Sequence, residues 1–206
     1  MIVIVDYGMG NFGSVRNMLK KLGTDSVISS DSETIAKADK IVLPGIGHFD
    51  KAMSAIASLN LLDVLHRKAV QEKVPCIGVC LGMQLMTKGS EEGKSPGLGW
   101  VKAEARRFDP SRFDEALRVP QMGWNLVEVA KPSPLFDDDG LEEHRYYFVH
   151  SYAIQCEDDG DVLGRTTYGY PFVSAFEHEN LIGVQFHPEK SHKFGMSLFR
   201  RFVERY

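Results

Sequence analysis

Three cysteines in 206 residues, Cys76, Cys80 and Cys156, are too few for a disulfide framework. Their number is odd and none shows the paired spacing of a zinc site, so no metal centre is expected. Basic charge is also scarce. Lys and Arg total 24 against 28 Asp and Glu, a formal net charge of −4, and no basic block or basic-aromatic stripe suits nucleic acid or an anionic membrane. Long apolar runs are missing as well. Met1-Ile-Val-Ile-Val5 is too short for a signal segment and has no basic flank, and nothing approaches the length of a membrane span. These absences leave a reducing, cytoplasmic setting and a small molecule or another protein as partner. The length and the 43% hydrophobic content suit a single α/β domain over residues 1–206.

Against this background one segment stands out: Val74-Pro-Cys-Ile-Gly-Val-Cys-Leu-Gly-Met-Gln84. An apolar strand ends on a Gly-x-Cys-x-Gly turn and runs directly into a helix, the wiring of a nucleophile elbow with cysteine in the nucleophile position. With 19 Gly and 3 Cys in 206 residues, chance supplies roughly 0.025 such matches, so coincidence is a poor explanation. Gly78 and Gly82 flank Cys80 because a strained strand-to-helix turn has no room for a neighbouring Cβ. Cys76, within the strand itself, reads as structural.

A thiolate is the reactive species, and a helix terminus contributes only about 0.3 to 1 kcal/mol to a negative charge. A histidine base is therefore required. His187 ends the apolar run Leu181-Ile-Gly-Val-Gln-Phe-His187, and Glu189 follows two residues later. In extended backbone, residues i and i+2 point to the same side, so Glu189 is placed to orient the imidazole. His-x-Glu alone is expected by chance roughly half a time, so strand-end context and the elbow carry the assignment. His150 and His178 are its rivals.

A tetrahedral intermediate also needs oxyanion donors. Leu81 N–H is the first candidate, and the second falls in Pro44-Gly-Ile-Gly47, at Ile46 or Gly47, whose glycines permit a peptide flip. Gly8-Met-Gly-Asn-Phe-Gly13 is a literal Gly-x-Gly-x-x-Gly after the first strand, expected by chance about 0.16 times. With Asp25 or Asp31 downstream it keeps a dinucleotide reading open, but as the weaker one.

The alternation of elements predicts a parallel sheet with helices on both faces. Strands are expected at residues 1–5, near Val27 and at residues 41–43, with helices over about 14–22 and 49–72, the latter broken near Asn60. After Gly89 the texture changes to short strands at residues 124–129, 146–150, 162–167 and 181–187. A closing amphipathic helix covers about 191–203, and Asp137-Asp-Asp-Gly140 reads as a solvated loop tip.

Taken together, Asp6-Tyr-Gly-Met-Gly-Asn11, Pro44-Gly-Ile-Gly-His-Phe49, Gly78-Val-Cys-Leu-Gly-Met-Gln84, Ser90-Glu-Glu92, Met122-Gly-Trp-Asn125, Tyr147-Phe-Val-His-Ser-Tyr152 and Gln185-Phe-His-Pro-Glu-Lys-Ser191 are recognisable. The chain resembles the class I glutamine amidotransferases, specifically the glutaminase subunits of imidazole glycerol phosphate synthases. The resemblance implies a three-layer, flavodoxin-like α/β fold with a mostly parallel central sheet and added short antiparallel strands. It implies a Cys80, His187, Glu189 triad that hydrolyses L-glutamine through a thioester, without a cofactor. Gly47, Gln84, Glu92, His150, Ser151 and Tyr152 would hold the substrate. The implied partner is a (β/α)₈-barrel cyclase, which receives the ammonia and makes imidazole glycerol phosphate and AICAR in histidine biosynthesis. Asn11, Trp124, Asn125, Tyr147 and Lys190 match positions at or near that interface, and the glycine-rich loop at 8–13 becomes a contact loop.

Three positions depart from the family pattern: Gln121, where histidine is common, Ala103, where glycine is expected, and Ala105, where a branched residue is expected. None touches the triad. They leave open a paralogous pair that aminates a nucleotide-linked sugar for surface polysaccharide. A reading of another class, a non-catalytic regulatory or scaffold subunit, is opposed by the intact triad.

Overall fold

The run after Met1 becomes β1 (Ile2–Val5), with Val3 and Val5 in one core and Ile2 and Ile4 in another. A strand buried on both faces needs apolar residues at every position, which is why these parallel strands read as unbroken hydrophobic runs. The computed structural model describes residues 1–113, 117–137 and 140–206; Asp138 and Asp139 of the expected loop tip lie outside them.

From β1 the chain enters α1 (Phe12–Lys21), β2 (Ser26–Ser29), α2 (Ser32–Ala36), β3 (Lys40–Gly45), α3 (Phe49–Ser58), α4 (Leu62–His66), β4 (Cys76–Cys80) and α5 (Leu81–Leu85). There follow β5 (Ala103–Arg107), β6 (Gln121–Leu126), β7 (Glu128–Val129), β8 (Arg145–His150), β9 (Tyr152–Cys156), β10 (Val162–Tyr168), β11 (Tyr170–His178) and β12 (Leu181–Val184), then α6 (His192–Arg205). The main sheet runs β2-β1-β3-β4-β12-β11-β10-β7, with β9 attached to β11 and β5 to β9. Pairing is parallel from β2 to β12 and antiparallel beyond. The predicted mostly parallel sheet with an antiparallel annex is what forms.

α1 and α6 cover the face that holds Ile4, Ile77 and Val184, while α2 to α5 cover the face that holds Val5, Leu43 and Cys76. The long helical stretch breaks as expected near Asn60, whose φ of 55° ends α3 and redirects the chain into α4. Two of the expected strands are cut short. The run at 124–129 divides into β6 and β7 because buried Val127 turns its N–H to His144 O at 2.8 Å. The run at 181–187 ends as a strand at Val184; Gln185 N–H still donates to Ser174 O of β11 at 2.9 Å, and His187 N–H turns to Tyr147 O at 2.9 Å. β5, β9 and β11 lie outside the strand segments read from the sequence. β11 begins directly after Gly169, whose φ of 70° makes the hairpin turn from β10, and contains Pro171 opposite Thr167.

Candidate active site

β4 ends at Cys80 in the middle of the parallel sheet, where the strands' carboxyl ends open a crevice. Cys80 adopts φ 54° and ψ −110°, a left-handed conformation that a non-glycine residue holds only under strain. The flanking glycines are obligatory. A Cβ on Gly82 would stand 1.7 Å from Leu43 O, and one on Gly78 would meet Met86 Sδ at 2.6 Å and Gly82 O at 2.7 Å. The helix can thus press against β3 and turn the thiol into the crevice.

That crevice has a volume of about 310 Å³. Cys80, Leu81, Ile46, Gly47, Gln84, Glu92, Val149, His150, Ser151, Tyr152 and His187 line it, so every residue expected to handle substrate, except Glu189, borders one cavity. Glu189 stands directly behind, its Oε1 2.8 Å from His187 Nδ1, with both side chains buried. The pairing was expected from strand alternation, but its geometry is different. β12 has already ended, and Pro188 to Lys190 form a single 3₁₀ turn that folds the carboxylate back onto the ring. Of the rival histidines, His178 is engaged elsewhere, 2.8 Å from Asp161 Oδ1, and His150 lies in the crevice wall.

Burial acts to lower the His187 pKa, but the Cys80 sulfur and then the Glu189 carboxylate outweigh it and lift the pKa to about 10. With Nδ1 committed to Glu189, Nε2 is the nitrogen left for Cys80, and no other group among the described residues hydrogen-bonds it. The sulfur is also approached by Gln185 Nε2 at 3.6 Å, while Gln185 Oε1 accepts from Gln84 Nε2 at 3.1 Å. Gln185 was not among the expected site residues. Its position two residues before His187, on the same side of extended backbone, was the available signal. Gln84 therefore holds Gln185 as well as lining the crevice. By contrast, burial pushes the Cys76 thiol up to about 12, as its structural reading requires.

Around the candidate oxyanion site, Ile46 N–H donates to Met9 O at 3.3 Å and Gly47 has φ +112°. The Ile46 donor is thus spent on the glycine-rich loop. Leu81 opens α5, whose first-turn N–H groups have no intrahelical acceptor. Glu92 accepts the N–H of Phe49, the first residue of α3, at 2.8 Å. Asp31, invoked for a dinucleotide, instead caps α2 by accepting from Thr34 N–H at 2.8 Å.

Beyond the crevice mouth, Met122, Trp124 and Leu126 project from alternate positions of β6, exposed at 64%, 42% and 42%. Trp124 stacks on His192 at 5.6 Å and meets Tyr147 edge-on at 6.1 Å, and Lys190 Nζ lies 5.9 Å from the Tyr147 ring centroid. Asn125 uses both ends of its amide internally, giving to Thr167 O and accepting from Leu126 N–H, each at 2.8 Å. Asn11 is the N-cap residue of α1 and makes no side-chain cap bond.

The family described as glutamine amidotransferase class-I matches residues 3–205. The chain belongs to this family. It is 48% identical to imidazole glycerol phosphate synthase subunit HisH 2 of Methanococcus maripaludis, covering 99% of both chains. It is 47% identical to the HisH subunit of Sulfurimonas denitrificans, over 99% of this chain and 98% of that one. The HisH 2 protein of Pseudomonas aeruginosa is 46% identical over 99% of each. The amidotransferase fold is shared with a crystal structure of a glutamine amidotransferase at a TM-score of 0.76 and 22% identity, covering 99% of this chain and 98% of that chain. The protein is thus a glutamine-hydrolysing enzyme. Among the described residues, no group of three or more His, Cys, Asp and Glu could hold a metal ion, and no helix is long and apolar enough to cross a membrane.

Proposed function

We propose that this amidotransferase, a single domain over residues 1–206, is the glutaminase subunit of an imidazole glycerol phosphate synthase in histidine biosynthesis. It hydrolyses L-glutamine and hands the ammonia to a (β/α)₈-barrel cyclase in the cytoplasm. The observation that carries the chemistry is the convergence of Cys80, His187 and Glu189 at one crevice. The names of the relatives support the pathway.

In this reading the Cys80 thiolate attacks the side-chain amide carbon of glutamine and the carbonyl electrons move onto oxygen. Leu81 N–H and a donor from Ile46 or Gly47 stabilise that oxygen. His187 then gives its Nε2 proton to the departing nitrogen, ammonia leaves, and a γ-glutamyl thioester remains. The neutral ring takes a proton from water, whose oxygen attacks the thioester; the C–S bond breaks, releasing glutamate and restoring the ion pair. Glu189 stabilises the imidazolium throughout. Gly47, Gln84, Glu92, His150, Ser151 and Tyr152 hold the substrate. The lyase chemistry belongs to the partner.

The exposed β6 stripe, with Tyr147, Lys190, Asn11 and Asn125, provides the cyclase-facing surface. The Ile46–Met9 bond links that face to the oxyanion site, because loop 8–13 holds the donor away from the thiolate until the partner moves it.

The test is glutamate formation by the purified chain, alone and with a histidine-pathway cyclase carrying its phosphoribosyl nucleotide ligand. Marked stimulation by cyclase and ligand together is expected. A Cys80 that reacts with a glutamine-mimicking electrophile yet gains nothing from that cyclase would overturn the pathway assignment and favour the sugar-aminating pair. Cys80→Ala should abolish glutamine-dependent synthesis while added ammonia still supports it; glutamine-dependent function that survives the substitution would favour a scaffold.

A further inference from the structure

Outside the Cys80 crevice lies a second cavity of almost equal size, about 320 Å³. It arises where the sheet divides. β9 pairs with β5 along five positions, from Ala103↔Cys156 to Arg107↔Tyr152, but meets β11 only at Ile154↔Val173. On either side of that single bridge the strands diverge, and the gap is floored by Ile154, Val162, Phe172 and Val173.

The walls are basic. Arg106 and Arg107 come from the end of β5, Arg112 from the short 3₁₀ turn after it, and Arg165 from β10, against one acidic lining residue, Asp159. Arg106 is neutralised by Glu91 at 2.9 Å and by Glu104. Arg165 has only Asp159, 3.1 Å away with a side chain 92% exposed. No carboxylate among the described residues lies within ion-pair distance of Arg107 or Arg112, although Arg112 helps, after the Ser111 hydrogen bonds, to hold the nearby Asp109 carboxyl below its usual range. The Arg112 guanidinium rests 3.9 Å above the Tyr170 ring, which also lines the cavity, a contact that leaves its charge in place.

Like charges gathered on a concave, partly apolar wall repel, and the same geometry concentrates their field on whatever enters. A protein of net charge −4 that collects arginines at one cleft has a surface whose local charge opposes its overall charge. The basic residues lining the cleft are all arginine. The planar fork of arginine matches phosphate oxygens in pairs, which the ammonium of lysine does not. We infer that this cleft binds a small phosphate-bearing metabolite, with Arg107, Arg112 and Arg165 on the phosphate and the apolar floor under the sugar or base. β9 starts at Tyr152 in the glutamine crevice and ends at Cys156 here, so the two cavities share a strand.

Isothermal titration calorimetry on the intact chain at low ionic strength tests this, with inorganic phosphate, ribose 5-phosphate and AMP as probes. Saturable binding is expected, tighter for an organic phosphate than for inorganic phosphate. Arg107→Ala and Arg112→Ala should each weaken it by about tenfold or more. Arg107→Lys, which retains charge and removes the fork, should weaken it too, and covers the case in which an alanine variant fails to fold. Cys80→Ala should leave it unchanged, separating this site from the catalytic one. Arg145→Ala, at a surface arginine paired with Glu143, should also be silent. Absence of saturable binding at millimolar probe, equal weakening by Arg145→Ala, or full affinity in both Arg107→Ala and Arg112→Ala would each overturn the site. Equal affinity for inorganic phosphate and both organic phosphates would overturn its assignment to a metabolite.

Discussion

Gln121 Oε1 lies 2.9 Å from His150 Nε2, and the opposite ring nitrogen, Nδ1, lies 2.7 Å from Tyr152 O. A carbonyl only accepts, so Nδ1 carries the proton. In a neutral ring Nε2 is then an acceptor, so the Gln121 amide must turn to present its NH₂ in place of Oε1. Phe108, Phe148 and Phe172 pack around the ring with centroids 5.1 to 5.6 Å away, and the side chain is buried. The departure from the family pattern at Gln121 thus supplies a neutral, fixed partner to a histidine in the crevice wall.

Acid should find this pair. Burial, with the His187 charge adding to it, lowers the His150 pKa from 6.5 to about 4. The unfolded chain therefore takes up this proton before the native one does. The stability that neutral His150 retains is complete above pH 6.5 and is lost as pH falls toward 4, an effect of about 3 kcal/mol at most. Urea midpoints measured from pH 7 to 4 should fall less steeply for His150→Gln than for the parent chain. Parallel curves would refute the argument.

Cysteine labelling should be selective. Cys80 faces the crevice beside a protonated His187, whereas burial pushes the Cys76 and Cys156 thiols up to about 12. Mass spectrometry after brief iodoacetamide treatment at neutral pH should place the first adduct on Cys80. Glu189→Gln removes one of the charges that hold the His187 pKa near 10, so less positive charge faces the sulfur and labelling at neutral pH slows.

Gln185→Leu removes the amide that approaches the Cys80 sulfur at 3.6 Å and leaves Gln84 Nε2 without its acceptor. A lost hydrogen bond to a charged group corresponds to roughly a tenfold or greater fall in kcat/KM for glutamine. Steady-state kinetics with the folded variant measure it. An unchanged kcat/KM would mean that Gln185 only packs.

Gly47→Ala should damage the proposed oxyanion site more than the fold. The new Cβ would lie 2.7 Å from Met9 Cε, the flexible end of a side chain, but φ +112° is barely open to alanine. A stability loss of roughly 1 to 3 kcal/mol is expected, together with a glutaminase that its partner stimulates weakly. Thermal melts and stimulated rates should therefore change together; full stimulation would show that this peptide stays fixed during turnover.

Local order accounts for what could be read in advance. Cys80 follows an apolar strand and precedes a helix within a dozen residues, and the glycine requirement at positions 78 and 82 is a short-range steric fact, now seen in the contacts with Gly82 and Leu43. The parallel half of the sheet was legible because its strands are buried on both faces and carry continuous apolar runs. The antiparallel annex was harder. β11 is buried on both faces from Phe172 to Phe176, but it starts directly after the hairpin turn at Gly169 and carries Pro171, so its beginning is hidden when its partner β10 is not in view.

The amino-acid sequence by itself determined the family and pointed to Cys80 as the candidate nucleophile, because Gly-x-Cys-x-Gly is a local spacing that chance rarely supplies; it singled out His187 only through its strand-end context. Tertiary structure alone decided the rest. It brought Gln185 to a sulfur 105 residues away, paired Gln121 with His150, spent the Ile46 N–H on Met9, and gathered arginines from three elements around one split in the sheet. Such contacts depend on how far two strands diverge and which way a turn folds back, and those quantities are set by packing between distant segments.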